Sequence, residues 1–325
     1  MFSEKIFTIS NDEEFKTLAI EVFNYQYNNL PIYKDFCDYL KIKPQNVYSL
    51  NDIPFLPINF FRTHKICSTH TYDLVFESSG TTSETTSKHY IYNKKIYHQS
   101  IKNSFNHFYK NISNYLWIAL TPDISQKPNS SLVYMLNYCI SQSNYKNSGF
   151  YFNNFEKLYN TLLYAITNNI PTICMGLTYV LLDFAEKYKL PKNNNIIFIE
   201  TGGMKDKRKE LIREELHNIL TSSLGTDVIH SEYGMTELLS QAYSKGNGIF
   251  FCPPWMMVII RDTYNPFNKG LINKRGGINI IDLANIYSCA FIETEDLGIM
   301  LDDNTFKILG RIDHTIIRGC NTMIM

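Results

Sequence analysis

The sequence lacks the features that would place it in a membrane, a secretory pathway or a complex with nucleic acid. Its first residues do not have the basic and then apolar order of a secretory signal. No apolar run is long enough to cross a bilayer. Basic and acidic side chains both number 31, so the formal net charge is +0 and no general attraction to nucleic acid or to an anionic membrane surface is expected.

The cysteines lack the pattern of a metal site. They are spread singly along the chain, at Cys37, Cys67, Cys139, Cys174, Cys252, Cys289 and Cys320. No two have CxxC spacing and no histidine cluster accompanies them, which argues against zinc. Their odd number indicates reduced thiols, so we expect a soluble, cytoplasmic protein in which all but Cys320 are core residues.

The composition is that of a globular protein. The 325 residues are 44% hydrophobic and 19% charged, which suits one large domain or about two. Aromatic residues make up 14%, as expected of a thick core or of an apolar ligand pocket, and abundance does not separate the two.

Strand-like and helix-like segments alternate between residues 71 and 245. Apolar runs predict strands at 72–76, 115–120, 172–175, 196–200 and 227–229. Amphipathic segments predict helices at 94–109, 132–140, 155–166, 179–188 and 206–220. This alternation predicts βαβ units around parallel strands, which is an α/β fold.

The rest of the chain is expected to flank this core within a single domain over residues 1–325. Residues 1–70 are predicted to form a helical and extended segment that precedes the core. It contains a helix capped by Asn11 or Asp12, a short helix at 33–40 and an extended connector at 52–62, where prolines exclude a regular helix. Residues 246–310 contain short strand-like pieces between turns, which predict a smaller antiparallel or barrel-like β-rich part. Residues 311–325 form the tail.

One stretch is chemically suited to phosphate. Residues 78–88 are rich in Ser and Thr, with Gly80 inside and Lys88 at the far end. Hydroxyls and backbone N–H groups donate to phosphate, glycine permits close approach and lysine adds charge. The alternative interpretation is a polar surface loop or a flexible linker.

Three further segments lie at expected strand ends or turns, where ligands collect in open α/β sheets. They are residues 200–205, residues 230–237, and residues 294–298 together with 310–313. They offer glycine backbone, a carboxylate for Mg²⁺ and an Asp and an Arg able to hydrogen-bond a ribose. The plainer alternatives are a turn at Gly202 and Gly203, a turn residue at Asp296 and a solvated helix start at Glu237.

In order, these motifs resemble those of the adenylate-forming acyl-activating enzymes. They are Ser78-Ser79-Gly80-Thr81-Thr82, Tyr233-Gly234-Met235-Thr236-Glu237, Thr294-Glu295-Asp296 and Gly310-Arg311-Ile312-Asp313. The connector at 52–62 and the terminal residues 317–321 resemble those of LuxE-type acyl-protein synthetases, the ligase component of the bacterial luciferase fatty-acid reductase system. The resemblance covers nearly the whole chain and implies the adenylate-forming large-domain fold.

The resemblance also implies ATP and Mg²⁺ as cofactors and a role for each motif. Ser79, Gly80, Thr81 and Thr82 would hold the ATP phosphates, and Gly202 and Gly203 would lie against the adenine or the acyl carboxylate. Tyr233, followed by Gly234, would pack on adenine, Thr236 would contact the α-phosphate, and Glu237 would bind Mg²⁺. Asp296 and Arg311 would take the ribose hydroxyls. His230 adjoins this motif and could line the site, whereas His89 and the other histidines are expected to be ordinary surface or core residues.

The sequence departs from the superfamily in the loop and at the C-terminus. Ser83 stands where a second glycine is usual, and Lys88 is not in a Pro-Lys-Gly context. The chain stops at Met325 soon after the motif with Arg311, so we expect the small C-terminal domain of acyl-CoA synthetases, with its catalytic lysine, to be absent. Lys205 and Lys88 are the candidates for a lysine that assists adenylation, and we predict that Lys205 has this role.

The resemblance implies that the acyl group passes to a cysteine near the C-terminus, and Cys320 is the match. A thiolate is a good acyl acceptor, and the alternative is an incidental thiol at a chain end. The implied substrate is a carboxylic, probably fatty, acid, and the implied partner is an acyl-CoA-reductase-like protein. Two other functions stay open: a phenylacetate–CoA-ligase-like enzyme that uses a free thiol, and a non-catalytic nucleotide- or acyl-binding subunit.

Overall fold

A large mixed sheet organises the protein in the computed structural model, which describes residues 2–78, 86–203, 211–301 and 305–312. The helices there are α1 (Phe2–Ile6), α2 (Asp12–Asn29), α3 (Pro31–Tyr39), α4 (Phe60–Thr63), α5 (Lys94–Tyr109), α6 (Ser131–Gln142), α7 (Phe155–Thr167), α8 (Thr178–Lys187) and α9 (Arg213–Leu224). The strands are β1 (Leu56–Pro57), β2 (Leu74–Glu77), β3 (Lys88–Ile91), β4 (Leu116–Leu120), β5 (Gly149–Phe150), β6 (Thr172–Leu177), β7 (Ile196–Thr201), β8 (His230–Tyr233), β9 (Ala242–Ser244), β10 (Phe250–Phe251), β11 (Met256–Arg261), β12 (Arg275–Asp282), β13 (Phe291–Met300) and β14 (Phe306–Arg311). None of the described helices is both long and apolar enough to cross a membrane.

The sheet changes from parallel to antiparallel at β8. Its strand order is β11-β12-β13-β14-β10-β9-β8-β7-β6-β4-β5, with β1 pairing alongside β13 and β2 pairing with β3 in a separate hairpin. Strands β5, β4, β6, β7 and β8 run parallel, as the alternation of strands and helices predicts. The β-rich segment after Gly246 is antiparallel, as expected, and extends the same sheet.

Alternate residues of the parallel strands enter two separate cores, one on each face of the sheet. In β4, Trp117 and Ala119 pack into the core that includes α2, α5 and the antiparallel strands. Leu116, Ile118 and Leu120 pack into the core formed with α7, α8 and α9. Because successive strand residues point to opposite faces, a strand buried on both sides must be apolar throughout, which is why β4 reads as a continuous apolar run.

Most predicted elements are confirmed, and the exceptions have physical reasons. Helix α5 has the predicted bounds, and α2 is capped by Asn11, whose side chain accepts from the Glu14 N–H at 3.0 Å. The connector is extended only at β1, because Phe60–Thr63 lies far enough beyond Pro57 to form a helical turn. The helix predicted from residue 206 begins at Arg213 and continues to Leu224, and residues 204–210 lie outside the described part.

Two strand predictions near the candidate site are wrong. The strand predicted at 227–229 is His230–Tyr233, because pairing of Ile199 with His230 and of Glu200 with Ser231 places these more polar residues in the ladder. Asp296, expected at a strand end, lies within β13 opposite Arg311 of β14. Backbone pairing with neighbouring strands decided both cases, and local hydrophobicity carries no signal of it.

Candidate active site

Tyr233 at the end of β8, Asp296 in β13 and Arg311 in β14 lie close together, although β9 and β10 separate β8 from β14 in the sheet. The Tyr233 hydroxyl donates to Asp296 Oδ2 at 2.7 Å, and Arg311 Nε lies 3.7 Å from Asp296 Oδ1. The Tyr233 ring packs against Phe250 and Phe306. The Asp296 side chain is 17% exposed and that of Arg311 is 82% exposed, so the ion pair opens to solvent on the arginine side.

Burial controls the ionisation of this group. Burial raises the pKa of Asp296, while the bond from Tyr233 and the charge of Arg311 oppose the rise. Burial and the neighbouring Asp296 charge raise the pKa of Tyr233 well above its usual value. Tyr233 therefore stays a neutral phenol and a hydrogen-bond donor, and it holds the Asp296 carboxylate in one orientation.

Glu237 lies in a buried turn that follows β8. Its side chain is 5% exposed, so its interpretation as a solvated residue at a helix start is wrong. Burial raises the pKa of Glu237, and the nearby Ser87 hydroxyl and the charges of Arg62 and Arg311 oppose the rise. A buried carboxylate with cationic and hydroxyl neighbours is a suitable ligand for a divalent cation.

Contacts from β3 and from the β-rich part hold this turn. His89 Nδ1 donates to the Thr236 carbonyl oxygen at 2.8 Å, and Asn285 Nδ2 donates to the Glu237 carbonyl oxygen at 2.8 Å. The half-buried Thr236 and the buried Glu237 are thus held through their backbone carbonyl groups.

A buried carboxylate anchors the chain just beyond the turn. Asp282 accepts from the backbone N–H groups of Leu239 at 2.8 Å and Ser240 at 2.9 Å, and from the Ser240 hydroxyl at 2.6 Å. Burial raises the pKa of Asp282, and these bonds oppose the rise. The sequence analysis did not single out Asp282 or Asn285, because a polar residue within an otherwise apolar segment carries no periodic signal, and it included Ser87 only as part of the Ser/Thr-rich stretch at 78–88.

Gly234 is closely packed against neighbouring side chains. A Cβ atom at this position would lie 2.4 Å from Glu232 Oε1 and 3.1 Å from Gln241 Cγ. Glu232 also accepts a short hydrogen bond from the Thr201 hydroxyl at the end of β7. The glycine of this motif therefore lets the chain pass beside a carboxylate that ties β8 to β7.

The end of β7 carries another buried carboxylate. Burial alone would raise the pKa of Glu200, but the polar side chains of His217, Ser231 and Thr178 together lower it, with His217 Nε2 3.7 Å from Glu200 Oε1. The Thr178 hydroxyl donates to Glu200 Oε2 at 2.7 Å. Gly202 and Gly203 follow with φ values of 75° and 60°, which side-chain-bearing residues rarely adopt, so the predicted tight turn is present.

Arg261 supports the strand that carries Asp296. Its buried guanidinium donates through Nη2 to the Thr294 carbonyl oxygen at 2.8 Å and through Nη1 to the Ile278 carbonyl oxygen at 2.9 Å. A Cβ atom on Gly277 would lie 2.5 Å from Arg261 Cζ, so the guanidinium needs a glycine beside it. The sequence analysis missed Arg261, and its signal was a lone arginine at the end of an apolar run.

Several predicted residues lie elsewhere. His230 is half-buried on the face of β8 opposite Tyr233, with Nδ1 3.1 Å from the Tyr109 hydroxyl oxygen, and burial lowers its pKa to about 4. Lys88 is exposed, with Nζ 3.6 Å from Glu77 Oε1. Of the expected core cysteines, Cys67 and Cys252 are only half-buried. Ser79, Gly80, Thr81, Thr82, Lys205 and Cys320 lie outside the described residues.

The donor set fits Mg²⁺ only if substrate phosphates complete it. In the described ranges there is no group of three or more His, Cys, Asp or Glu side chains able to hold a metal ion. Glu237 supplies one buried carboxylate, and Mg²⁺ is usually bound by one or two carboxylates together with water and substrate phosphates. Glu237 would therefore hold the ion, which supplies charge neutralisation at the phosphates.

The fold is similar to that of acid–CoA ligases. 2-Hydroxyisobutyryl-CoA ligase, in an open conformation with 2-HIB-AMP and CoA, is 13% identical, with 94% of this chain and 77% of that chain covered and a TM-score of 0.69. ATP-bound MatB from Rhodopseudomonas palustris is 14% identical, with 75% and 49% covered and a TM-score of 0.57, so the matched part spans about half the length of MatB. At these identities the likeness shows the fold, which is that of adenylate-forming ligases.

The whole chain, residues 1–325, matches the family described as acyl-protein synthetase, LuxE. The protein therefore belongs to the LuxE acyl-protein synthetase family of adenylate-forming ligases, as its motifs indicated. No curated protein sequence matches it.

Proposed function

We propose that this protein uses ATP and Mg²⁺ to activate a carboxylic acid as an acyl-adenylate and then loads the acyl group onto its own Cys320. The observation that carries the proposal is the convergence of two sites around the end of β8. One is the Tyr233–Asp296–Arg311 group and the other is the buried turn with Thr236 and Glu237. A nucleoside-binding group next to a single metal-binding carboxylate is the equipment that adenylation needs.

The nucleotide is bound through both sites. Asp296 and Arg311 hydrogen-bond the ribose hydroxyls, and Tyr233 lies beside the adenine while it orients Asp296. The backbone at Gly202 and Gly203 lies near the adenine or the acyl carboxylate. Both φ values favour glycine, and because glycine has no side chain a ligand can approach the backbone of this turn closely.

The phosphates lie towards the turn. Thr236 contacts the α-phosphate, Glu237 holds Mg²⁺, residues 79–82 bind the outgoing phosphates and Lys205 assists. An oxygen of the acid attacks the α-phosphorus, the bond to pyrophosphate breaks, and acyl-AMP forms. This step calls for neutralisation of charge and alignment of the reactants, so it needs no protein nucleophile.

Acyl transfer then uses Cys320. The thiolate sulfur attacks the acyl carbon, the bond to AMP breaks, and AMP leaves as a thioester forms. Family membership supports this acceptor, and the substrate class implied by the family is a fatty acid. The thioester is delivered to an acyl-CoA-reductase-like partner, which reduces it to the aldehyde.

A second candidate function is ligation of the acid to a free thiol. The observation that favours it is the similarity to 2-hydroxyisobutyryl-CoA ligase, whose structure contains 2-HIB-AMP together with CoA. Adenylation is common to both functions, and only the acceptor differs.

Intact-protein mass spectrometry tests the proposal. The wild type, Cys320→Ser and Cys67→Ser are incubated with ATP, Mg²⁺ and a panel of carboxylic acids. Cys67 is the matched control because it is a half-buried free thiol outside the site. We expect an added acyl mass, removed by hydroxylamine, in the wild type and Cys67→Ser but not in Cys320→Ser. All three should release pyrophosphate.

Two results would contradict the proposal in different ways. Pyrophosphate release only in the presence of free CoA, with no acyl mass on the protein, would replace self-acylation by free-thiol ligation. Neither pyrophosphate nor acyl mass with any acid would exclude adenylation by the isolated protein and favour a binding subunit.

A further inference from the structure

His89 connects the strand after the Ser/Thr-rich loop to the turn that carries Thr236 and Glu237. It lies in β3 and its side chain is fully buried. Nδ1 lies 2.8 Å from the Thr236 carbonyl oxygen, and the ring packs edge-on against Phe61. Nε2 is buried and has no hydrogen-bond partner within the described ranges.

The partner of Nδ1 determines the tautomer. A carbonyl oxygen only accepts hydrogen bonds, so Nδ1 must carry the proton. Burial lowers the pKa of His89 to about 4, so at neutral pH the ring is uncharged and Nε2 is a bare lone pair. The single N–H group of the ring therefore donates to the backbone carbonyl of Thr236.

Neighbouring contacts link the same strand to both flanks of the loop. The Ser87 N–H donates to the Ser78 hydroxyl at 3.0 Å, and the Ser78 N–H donates to the Ser87 carbonyl oxygen at 3.1 Å. The Ser87 hydroxyl also favours the ionised form of the nearby Glu237 carboxylate and so lowers its pKa. Ser87 and His89, two residues of one short segment, thus act on two successive residues of the turn.

We propose that His89 is a positioning residue that, through the Thr236 carbonyl, holds the turn in the geometry in which Glu237 binds the metal and Thr236 meets the phosphate. The kinetic part of this inference rests on the proposed function. The contact joins residues 147 positions apart in the chain. It therefore fixes the position of β3, which follows the Ser/Thr-rich loop, relative to the turn with Thr236 and Glu237.

The competing explanation is that His89 only fills space against Phe61. His89→Asn and His89→Leu separate the two explanations. An asparagine amide nitrogen stands at the same number of bonds from Cβ as Nδ1, so it can donate to the Thr236 carbonyl. Leucine has the same branching without a donor, and both variants lose the ring. Any difference between them reports the hydrogen bond.

The experiment measures pyrophosphate exchange, thermal unfolding and amide hydrogen exchange for both variants. We expect His89→Leu to lower kcat of adenylation about 10- to 100-fold, as loss of a residue that orients a metal ligand does, while His89→Asn stays within about threefold of wild type. KM for the acid should change little in either. Peptides covering residues 233–241 should exchange faster in His89→Leu than in His89→Asn.

A matched control is His98→Leu. His98 is half-buried on α5 and hydrogen-bonds the Tyr134 hydroxyl with Nε2 at 2.9 Å, away from the turn. Its loss should leave kcat and the exchange of residues 233–241 unchanged. If His89→Leu does not fold, His89→Gln replaces it. The glutamine amide reaches the position of Nε2 and not that of Nδ1, so this variant also lacks a donor to the Thr236 carbonyl.

The inference would be overturned if His89→Asn and His89→Leu (or His89→Gln in its place) had equal kcat and equal hydrogen exchange in residues 233–241. A wild type without adenylation activity would refute the proposed function instead. Hydrogen exchange would then still decide whether His89 holds the turn.

Discussion

Replacing Tyr233 with phenylalanine removes the hydroxyl that donates to Asp296 Oδ2 at 2.7 Å. The remaining ion-pair partner, Arg311, is exposed and its Nε is 3.7 Å away from Asp296 Oδ1, so it compensates little for the loss. A hydrogen bond to a charged group contributes about 1.5–3 kcal/mol. We therefore expect Tyr233→Phe to lower the free energy of unfolding by about 1.5–3 kcal/mol at neutral pH.

The destabilisation should depend on pH in a defined direction. The Tyr233 hydroxyl favours the ionised form of Asp296, so its removal raises the pKa of that carboxyl further above its usual value. The full loss is present where Asp296 is ionised in both proteins. It decreases as pH falls and Asp296 becomes protonated, because a neutral carboxyl needs the donor less.

Urea unfolding at neutral and acidic pH measures this effect for Tyr233→Phe, Asp296→Asn and the double variant. Tyr243→Phe is the matched control, since Tyr243 is also fully buried but its hydroxyl has no partner in the part of the chain that the structure describes. Removing that hydroxyl should be neutral or slightly stabilising. Equal losses in the two Tyr→Phe variants, or a coupling energy below about 0.5 kcal/mol between Tyr233 and Asp296, would refute the reasoning.

Three further predictions concern the turn, its histidine and its glycine. Glu237→Gln should lower the rate of pyrophosphate exchange about 100-fold, because the carboxylate that would hold Mg²⁺ is lost; near-normal exchange would remove this role. Burial lowers the pKa of His89 to about 4, so the folded state binds fewer protons and should lose about 3 kcal/mol of stability between pH 6.5 and 4. Urea unfolding at several pH values measures this. His89→Asn should reduce the dependence of the free energy of unfolding on pH, whereas the control His70→Asn, which changes an exposed histidine, should not. Gly234→Ala should cost about 1–3 kcal/mol in thermal unfolding because its Cβ meets Glu232. Gly149→Ala, whose Cβ would be 3.8 Å from the nearest atom, is the control, and equal losses would contradict the packing argument.

The elements of this fold were largely predictable because their signals are local. Helix α5 is amphipathic over a few turns and begins after an Asn93 side chain that caps it, so its bounds follow from residues 93–109. Strand β4 is apolar throughout because both of its faces are covered. The strand at His230–Tyr233 was misplaced because its residues are polar and its pairing with β7 is encoded elsewhere in the chain.

The candidate site was predictable in its motif residues but not in its supports. Tyr233, Asp296 and Arg311 stand in ordered motifs, and family membership confirms the resemblance that those motifs indicated. His89 and Arg261 stand in no motif. His89 directly follows the polar stretch that ends at Lys88, and Arg261 ends an apolar run. The contact that each makes depends on a carbonyl group supplied by a distant residue.

The sequence by itself determined the alternation of elements, the two-sided burial of the parallel strands and the order of the motifs that form the candidate site, because each depends on residues within one or two turns or strands. Only the tertiary structure decided that Tyr233 orients Asp296, that Glu237 is buried and that His89 holds Thr236. Those contacts join residues 63 and 147 positions apart in the chain, and they exist only after packing has brought the backbones together.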